Sequence, residues 1–435
     1  MALCSEDPLE VAEASIAIRK ILSVDRNPPI AKVLEAGILP RLKDLLCDDS
    51  RPNVQLEVCW ALTNIASGTR EQTQAVVECG AVPLFVRLLS SPDACLQEQA
   101  VWALANIAGD RVEYRDGCIS VGTVEALCRI VESSLTSKKS VQMTRLSIWG
   151  LSNMCRGRPA ASFEKVSHCL PFIGRAVAGS NDSEVLADSA WALSYLTDSA
   201  ARDNLSQVLL HVDLDRLISL LAYPSSSVHT PVLRVVGNLV SGESEMTDRV
   251  VSKGVLNHLK MLLLSNKKSV RKESLWAVSN ICADSDVLIQ KVIDSGILQR
   301  VCDLLKESDS DIKTEAAWVV CNACTAGNAS QIRTLVMDSR FKVIELLVGY
   351  LESACREKKS VTSVLDAIFS ILRSNEAFTS VLEECGGLTL IEDLQQDESE
   401  EIYASAVKIL ETYFDCEQEG TENRFFFNFS DARSG

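Results

Sequence analysis

Six tryptophans recur at one register of an apolar pattern: Trp60, Trp102, Trp149, Trp191, Trp276 and Trp318. In five of these segments an asparagine follows four residues later, as Asn64, Asn106, Asn153, Asn280 and Asn322, while Tyr195 takes that place after Trp191. Residues four apart share one face of a helix, so stacked helices would line up parallel rows of indoles and carboxamides. Carboxamides donate and accept, which lets a row of them clamp the backbone of an extended peptide whatever its side chains. Neighbouring indoles form slots for long aliphatic stems and attract an ammonium or guanidinium by about 0.5–2 kcal/mol each. Carboxylates recur alongside: Glu57, Glu98, Asp188, Glu273 and Glu315 one turn before an indole, Asp110 and Asp198 at helix ends. Together these rows would select extended, cationic peptides.

A lone Trp at helical spacing is usually core. Here each Trp helix also has a fuller apolar face, such as Val58, Ala61, Leu62 and Ile65, able to supply the core by itself. An Asn repeated at one register has no evident packing purpose, and burying it unpaired costs a few kcal/mol. The rows are therefore expected on the surface.

The elements that position them form a repeat. Segments such as LEVCWALTNIASG, VWALANIAGD and LWAVSNICAD are variants of one unit, with Trp-to-Trp gaps of 42, 47, 42, 85 and 42 residues. The gap of 85 spans two units, with Arg234 of PVLRVVGNLVSG standing where a Trp would fall. A glycine ladder keeps the same period: Gly80, Gly254 and Gly296 each precede the next Trp by 22 residues, and Gly37 and Gly386 occupy similar contexts. Glycine just past an apolar helical run terminates it in the left-handed conformation. The segment 81–89, with Pro83 in its first turn, reads as a second helix, and SSPDA (90–94) as the loop into the Trp helix. Three helices over about 42 residues is the armadillo period, and the length accommodates about ten such units. Residues 1–414 are expected to form one right-handed superhelical, all-α solenoid with a long concave surface, its ends (11–22 and 401–414) lacking the Trp. The polar, acidic stretch 415–435, with its Phe cluster at 424–429, reads as a disordered tail.

Composition agrees. Apolar residues make up 47% and aromatics 5%, and 43 Lys plus Arg stand against 59 Asp plus Glu, a net charge of −16. An acidic chain repels phosphate backbones and anionic headgroups, which disfavours nucleic acid and membrane as partners and favours a basic one. The 16 cysteines are scattered, and Cys59, Cys95, Cys128 and Cys302 fall in apolar helical runs, as small hydrophobes of a reduced cytosolic or nuclear compartment do. The chain start lacks a signal-peptide pattern, and no apolar run reaches the roughly 18 residues of a membrane span.

The stretches WALTNIASGTREQTQAVVECGAVPLFVRLLSSP, EQAVWALANIAGD, VLADSAWALSYLTD and EECGGLTLIEDLQ resemble repeats of the importin-α (karyopherin-α) family, adaptors for nuclear import cargo, and the likeness runs from about residue 10 to 414. The resemblance implies a function of binding Lys/Arg-rich nuclear localisation signals, with the chain shuttling between cytoplasm and nucleus and no cofactor. It implies a major site at Trp60, Asn64, Ser67, Trp102, Asn106, Trp149, Asn153, Asp188 and Trp191, with a lysine pocket matching Gly68, Thr73 and Asp110. It implies a minor site at Asn238, Trp276, Asn280, Glu315, Trp318 and Asn322. In relatives the late repeats bind the export receptor.

Two departures qualify the likeness. In SGESEMT, Ser244 replaces an Asp that helps hold a cation in the family's minor site, so a weaker minor site is expected even with Glu243 and Glu245 beside it. The family also carries a basic segment before its repeats that binds importin-β and, when free, folds back on the groove. This chain opens with acidic MALCSEDPLE, so cargo binding without autoinhibition and without the usual importin-β recruitment is expected. A paralogue that chaperones or sequesters basic proteins is the alternative job for the same groove. An enzyme is disfavoured: there is no phosphate loop and no HExxH, the four His lack ligand spacing, and Cys321 and Cys324 form a CxxC within one helix with no second pair. A β-catenin-like scaffold would want a basic groove, the opposite of this charge balance.

Overall fold

The computed structural model describes residues 2–137, 141–198, 202–307, 309–353 and 357–414, and all regular secondary structure among them is helical. The expected tail and its Phe cluster lie outside the described residues. By internal contacts the chain divides into two compact units, residues 1–301 and 302–435.

One repeat of the first unit shows how sequence becomes structure. The helix Arg70–Glu78 starts at a capping box in which Thr69 and Gln72 satisfy each other's orphan backbone donors. Gly80, at φ +82°, then turns the chain. The short helix Val82–Leu88 follows with Pro83 in its first turn. Asp93, in the loop as expected, also caps the Trp102 helix Ala94–Asp110, its Oδ1 accepting from the backbone N–H of Cys95 (2.8 Å) and Leu96 (3.3 Å). Asp182 and Asp309 cap the Trp191 and Trp318 helices in the same way, each nine residues before its Trp. The glycine ladder behaves as expected, with Gly37, Gly254, Gly296 and Gly386 also at positive φ.

In the first unit the helices Pro8–Leu22, Pro52–Ala66, Ala94–Asp110, Val141–Cys155, Ser183–Leu196, Ser226–Leu239 and Lys268–Cys282 pack one on the next in chain order. Their contact faces make the core: Val58, Ala61, Leu62 and Ile65 are buried, as are Ala100, Leu104 and Ile107 one repeat later. In the second unit Ser310–Ala326, Lys358–Ser374 and Glu400–Tyr413 stack in the same order, over buried Ile312, Val319, Leu365, Ile368, Ile402 and Ile409. The hydroxyls of buried Tyr350 and half-buried Thr314 meet at 3.2 Å, so the polar tip of that tyrosine has a partner in the core.

Cysteine follows expectation with one exception. Cys59, Cys128 and Cys302 are buried, and burial pushes the Cys128 and Cys302 thiols up to about 12. Cys95 was read as core but is exposed, because it sits in the first turn of its helix, at the Asp93 cap. Cys321 and Cys324 are both buried, with the Cys321 thiol pushed up by burial. No helix among the described residues is long and apolar enough to cross a membrane.

Candidate peptide-binding surface

The indole row is on the surface. Trp60 and Trp102 are 37% and 45% exposed, and Trp149, Trp191, Trp276 and Trp318 are half-buried; none belongs to the core beneath them. Each lies on the face of its helix opposite the apolar contact residues, as the register required.

The asparagine row departs from the surface expected of it: Asn153 and Asn238 are buried, because the carboxamides bond across repeats. The Nδ2 of Asn153 donates to the carbonyl of Ala105 (3.0 Å), and that of Asn280 to the carbonyl of Gly237 (3.2 Å). Asn238 donates to the Ser194 carbonyl and the Thr197 hydroxyl, both at 3.0 Å, and Asn64 to the Ser23 hydroxyl at 2.9 Å. In three of these four, the acceptor is a main-chain carbonyl of the preceding repeat's surface helix. The carboxamides therefore tie repeat to repeat; their Oδ1 atoms and, except in Asn238, a second N–H carry the remaining hydrogen-bonding capacity. Asn106 differs: its Nδ2 is buried without a partner among the described residues.

Glycines make room for these contacts at two places. Gly237 is buried under Trp276, and a Cβ there would run into the six-membered ring of the indole. At Gly109 a Cβ would lie 3.4 Å from Asn153 Nδ2, so the small residue admits the carboxamide that bonds Ala105.

Ser67 and the lysine-pocket glycine Gly68 are exposed in the turn after the Trp60 helix. Thr73 is 2% exposed, and its hydroxyl donates back to the Ala66 carbonyl at 3.1 Å, so it braces that turn from below. Asp110 ends the Trp102 helix, against which the Thr73 helix packs, and pairs with Arg111 at 3.2 Å.

The carboxylates were expected to await an incoming cation, yet most have a guanidinium already. Glu57 accepts from Arg19 at 2.7 Å, Asp198 pairs with Arg158 at 3.3 Å, and Glu273 is ion-paired with Arg234. Asp188 contrasts with them. It is half-buried three residues before Trp191, and burial, reinforced by Glu184, pushes its carboxyl up to about 6. Glu98 is half-buried and lines a depression with Gln97, Arg129 and Met143.

A basic cluster was also missed. Arg115, 1% exposed, donates from Nη1 to the carbonyls of Arg156 (2.8 Å) and Pro159 (2.9 Å), which holds the loop following the Trp149 helix. That loop sets Arg156 and Arg158 around a cavity of about 310 Å³ shared with Trp191, Tyr195, Asp198 and Arg234. The rings of Trp191 and Tyr195 stack at 6.0 Å, so the residue that replaces Asn in this repeat extends the aromatic surface.

The second candidate set divides between the two units: Asn238, Trp276 and Asn280 stand on the first, Glu315, Trp318 and Asn322 on the second, the last three all half-buried. Ser244 is exposed at the start of the helix Ser244–Ser252, flanked by exposed Glu243 and Glu245, so carboxylates do remain beside the substituted position. No group of side chains among the described residues could hold a metal ion.

Known proteins agree with this architecture. Residues 26–67, 69–109, 243–283 and 285–325 match the Armadillo/beta-catenin-like repeat, and 376–425 the atypical Arm repeat. An engineered protein of known structure, 26% identical, superposes with a TM-score of 0.84 over 94% of this chain and 96% of its own. Importin subunit alpha-1b of Oryza sativa subsp. japonica is 40% identical over 99% of this chain and 82% of its own length. Importin subunit alpha-3 of Arabidopsis thaliana is 43% identical over 96% and 80%. Importin subunit alpha-B of Dictyostelium discoideum is 48% identical over 55% of this chain and 46% of its own. With identities of 40% and above carried across nearly the whole chain, and with the repeat architecture to match, the protein belongs to the importin-α family of armadillo-repeat proteins.

Proposed function

We propose that the chain is a nuclear import adaptor that binds Lys/Arg-rich localisation signals of cargo proteins along its Trp and Asn rows. The family is one of transport adaptors rather than enzymes. The observation that carries the reading is the run of four surface indoles, Trp60, Trp102, Trp149 and Trp191, on four successively packed helices. Indoles presented at a fixed repeat suit side chains that pair an aliphatic stem with a charged head, and the acidic chain adds long-range attraction for them. Carboxamide Oδ1 atoms beside the indoles accept from the peptide backbone irrespective of sequence.

On this reading Trp60, Asn64, Trp102, Asn106, Trp149, Asn153, Asp188 and Trp191 form the major site, with Asp110 reading a lysine at its rim. On the first unit Asn238, Trp276 and Asn280 take further cations, and on the second unit Glu315, Trp318 and Asn322 do the same on their own surface. The adaptor would work in both cytoplasm and nucleus, with an export receptor engaging the last repeats. The test is fluorescence anisotropy of a labelled lysine-rich peptide against the wild type, Asp110→Lys and Trp102→Ala. Saturable binding that both substitutions weaken supports the reading; binding indifferent to both removes it.

A further inference from the structure

Two indoles of the first unit are already covered by the chain's own arginines. The Arg19 guanidinium carbon lies 4.8 Å from the centroid of the Trp60 ring, and that of Arg234 lies 5.4 Å from the Trp276 ring. Each arginine is also ion-paired with a carboxylate three residues before the indole it covers, Arg19 with Glu57 and Arg234 with Glu273. The registers explain the pairing. Arg19 stands 41 residues before Trp60, and Arg234 stands 42 before Trp276, so both occupy the position that tryptophan takes in the neighbouring repeats. Wherever this register of the first unit holds Arg, the side chain leans onto the next repeat's indole and takes its carboxylate.

That pair of contacts is what the proposed cargo lysine or arginine would make at an open indole. Arg19 and Glu57 are each only 20% exposed along their side chains, so the arrangement is a settled one rather than a loose surface pair. Charge attraction combined with ring stacking holds a guanidinium better than either alone.

We propose that Arg19 is a resident cation that closes the Trp60 end of the row, making it a specificity-determining residue for how many cargo cations the row accepts. The proposal rests on the reading of the row as a cationic-peptide site. With Arg19 in place, the open slots begin between Trp60 and Trp102. Without it, Glu57 and the outer face of Trp60 become one more slot for a lysine.

The experiment compares two labelled peptides, a lysine-rich parent and the same peptide with one further lysine at the end that reaches Trp60. Because peptide direction is open, the extra lysine is placed at each end in turn. In the wild type, neither extension should change Kd by more than about twofold. In Arg19→Ala, one extension should tighten binding by about 3- to 30-fold, the yield of one cation–indole contact. Arg19→Lys, which keeps a resident cation, should restore the wild-type indifference. Arg19→Met preserves the apolar stem and should behave like the alanine variant, which separates loss of charge from loss of packing. Parent binding with no selective gain in either uncharged variant would overturn the assignment of Arg19 while leaving the peptide site standing. No binding of the parent to the wild type would overturn both.

Discussion

Asp188 joins stability and binding with opposite signs. Its carboxyl is raised from 3.8 to about 6, first by burial and then by Glu184. A rise of that size makes the ionised group on the order of 3 kcal/mol costlier in the folded chain than in water. The sign follows from linkage. A folded-state value above the unfolded one means that the cost is absent below about pH 4 and grows as pH rises, reaching its full size above about pH 6. Asp188→Asn removes the charge and keeps the shape, so it should stabilise the free protein at about pH 7.5 by roughly 1–3 kcal/mol, the amide retaining some desolvation cost. By about pH 4 the gain should be gone.

Binding should move the other way. If the half-buried carboxylate draws a lysine to Trp191, the wild type should lose affinity as Asp188 protonates. For a free carboxyl titrating near 6, the loss between about pH 7.5 and 5.5 is about fourfold, and Asp188→Asn should lack that slope while binding several-fold more weakly at the higher pH. The assay pairs urea unfolding with peptide anisotropy on the same two proteins across that range. A variant less stable than the wild type at pH 7.5, or one that keeps the wild-type pH slope in affinity, would refute the reasoning. The expected combination is that of a functional group held against its own solvation.

Other substitutions separate the surface from its supports. Trp102→Ala, at a 45% exposed position, should change unfolding free energy by less than about 1 kcal/mol yet weaken a lysine-rich peptide about tenfold by anisotropy. Gly237→Ala forces Trp276 off its seat, and should cost about 1–3 kcal/mol and shift tryptophan emission. Asn153→Ala deletes a buried bond to the Ala105 carbonyl, and should cost about 1–2 kcal/mol, whereas Asn64→Ala, whose partner is an exposed serine, should cost under about 0.5 by the same urea titration. Asp93→Ala removes the cap of the Trp102 helix and should lower its stability by about 0.5–2 kcal/mol with no effect on peptide affinity at saturation of folding.

Much of the fold was legible because it is periodic. A register shared by six tryptophans, five asparagines and five glycines fixes helix length, turn position and exposed face together, and the structure places Val58, Leu62 and Ile65 inside and Trp60 outside as that register requires. The loop at Asp93 is legible, and its capping role has a signal too, an Asp nine residues before the Trp that returns as Asp182 and Asp309. The pairing of Glu57 and Glu273 was not legible from neighbours in sequence, because their partners lie 38 and 39 residues away. Arg234 was noticed as a gap in the tryptophan ladder, but what a long cation does at such a gap depends on the next repeat's surface. The Arg115 anchor similarly reaches 41 and 44 residues along the chain, to carbonyls that no side-chain pattern announces.

The asparagine row shows how stacking narrows chemistry. In isolation a carboxamide donates and accepts, and sequence reasoning assigned it both sides of a peptide bond. Once Asn153 and Asn280 give one N–H of Nδ2, and Asn238 gives both, to the preceding repeat, Oδ1 is the larger part of what they still offer, and Oδ1 accepts. Such a row takes peptide N–H groups more readily than peptide carbonyls. The indole N–H groups of the tryptophans four residues earlier are further donors, and donors only. On the proposed reading, Asn and Trp at this spacing would form complementary parts of one backbone clamp: the amide accepts, the indole donates, and the ring face remains for the side chain. A peptide whose residues bond both halves must run extended, with alternate side chains directed into the row. A proline within its central segment lacks one N–H and should weaken binding by about 1 kcal/mol or more at positions facing an Asn, and far less at the intervening ones. A proline scan of the labelled peptide would read that alternation directly, and a flat response would show that the carboxamides serve the solenoid alone.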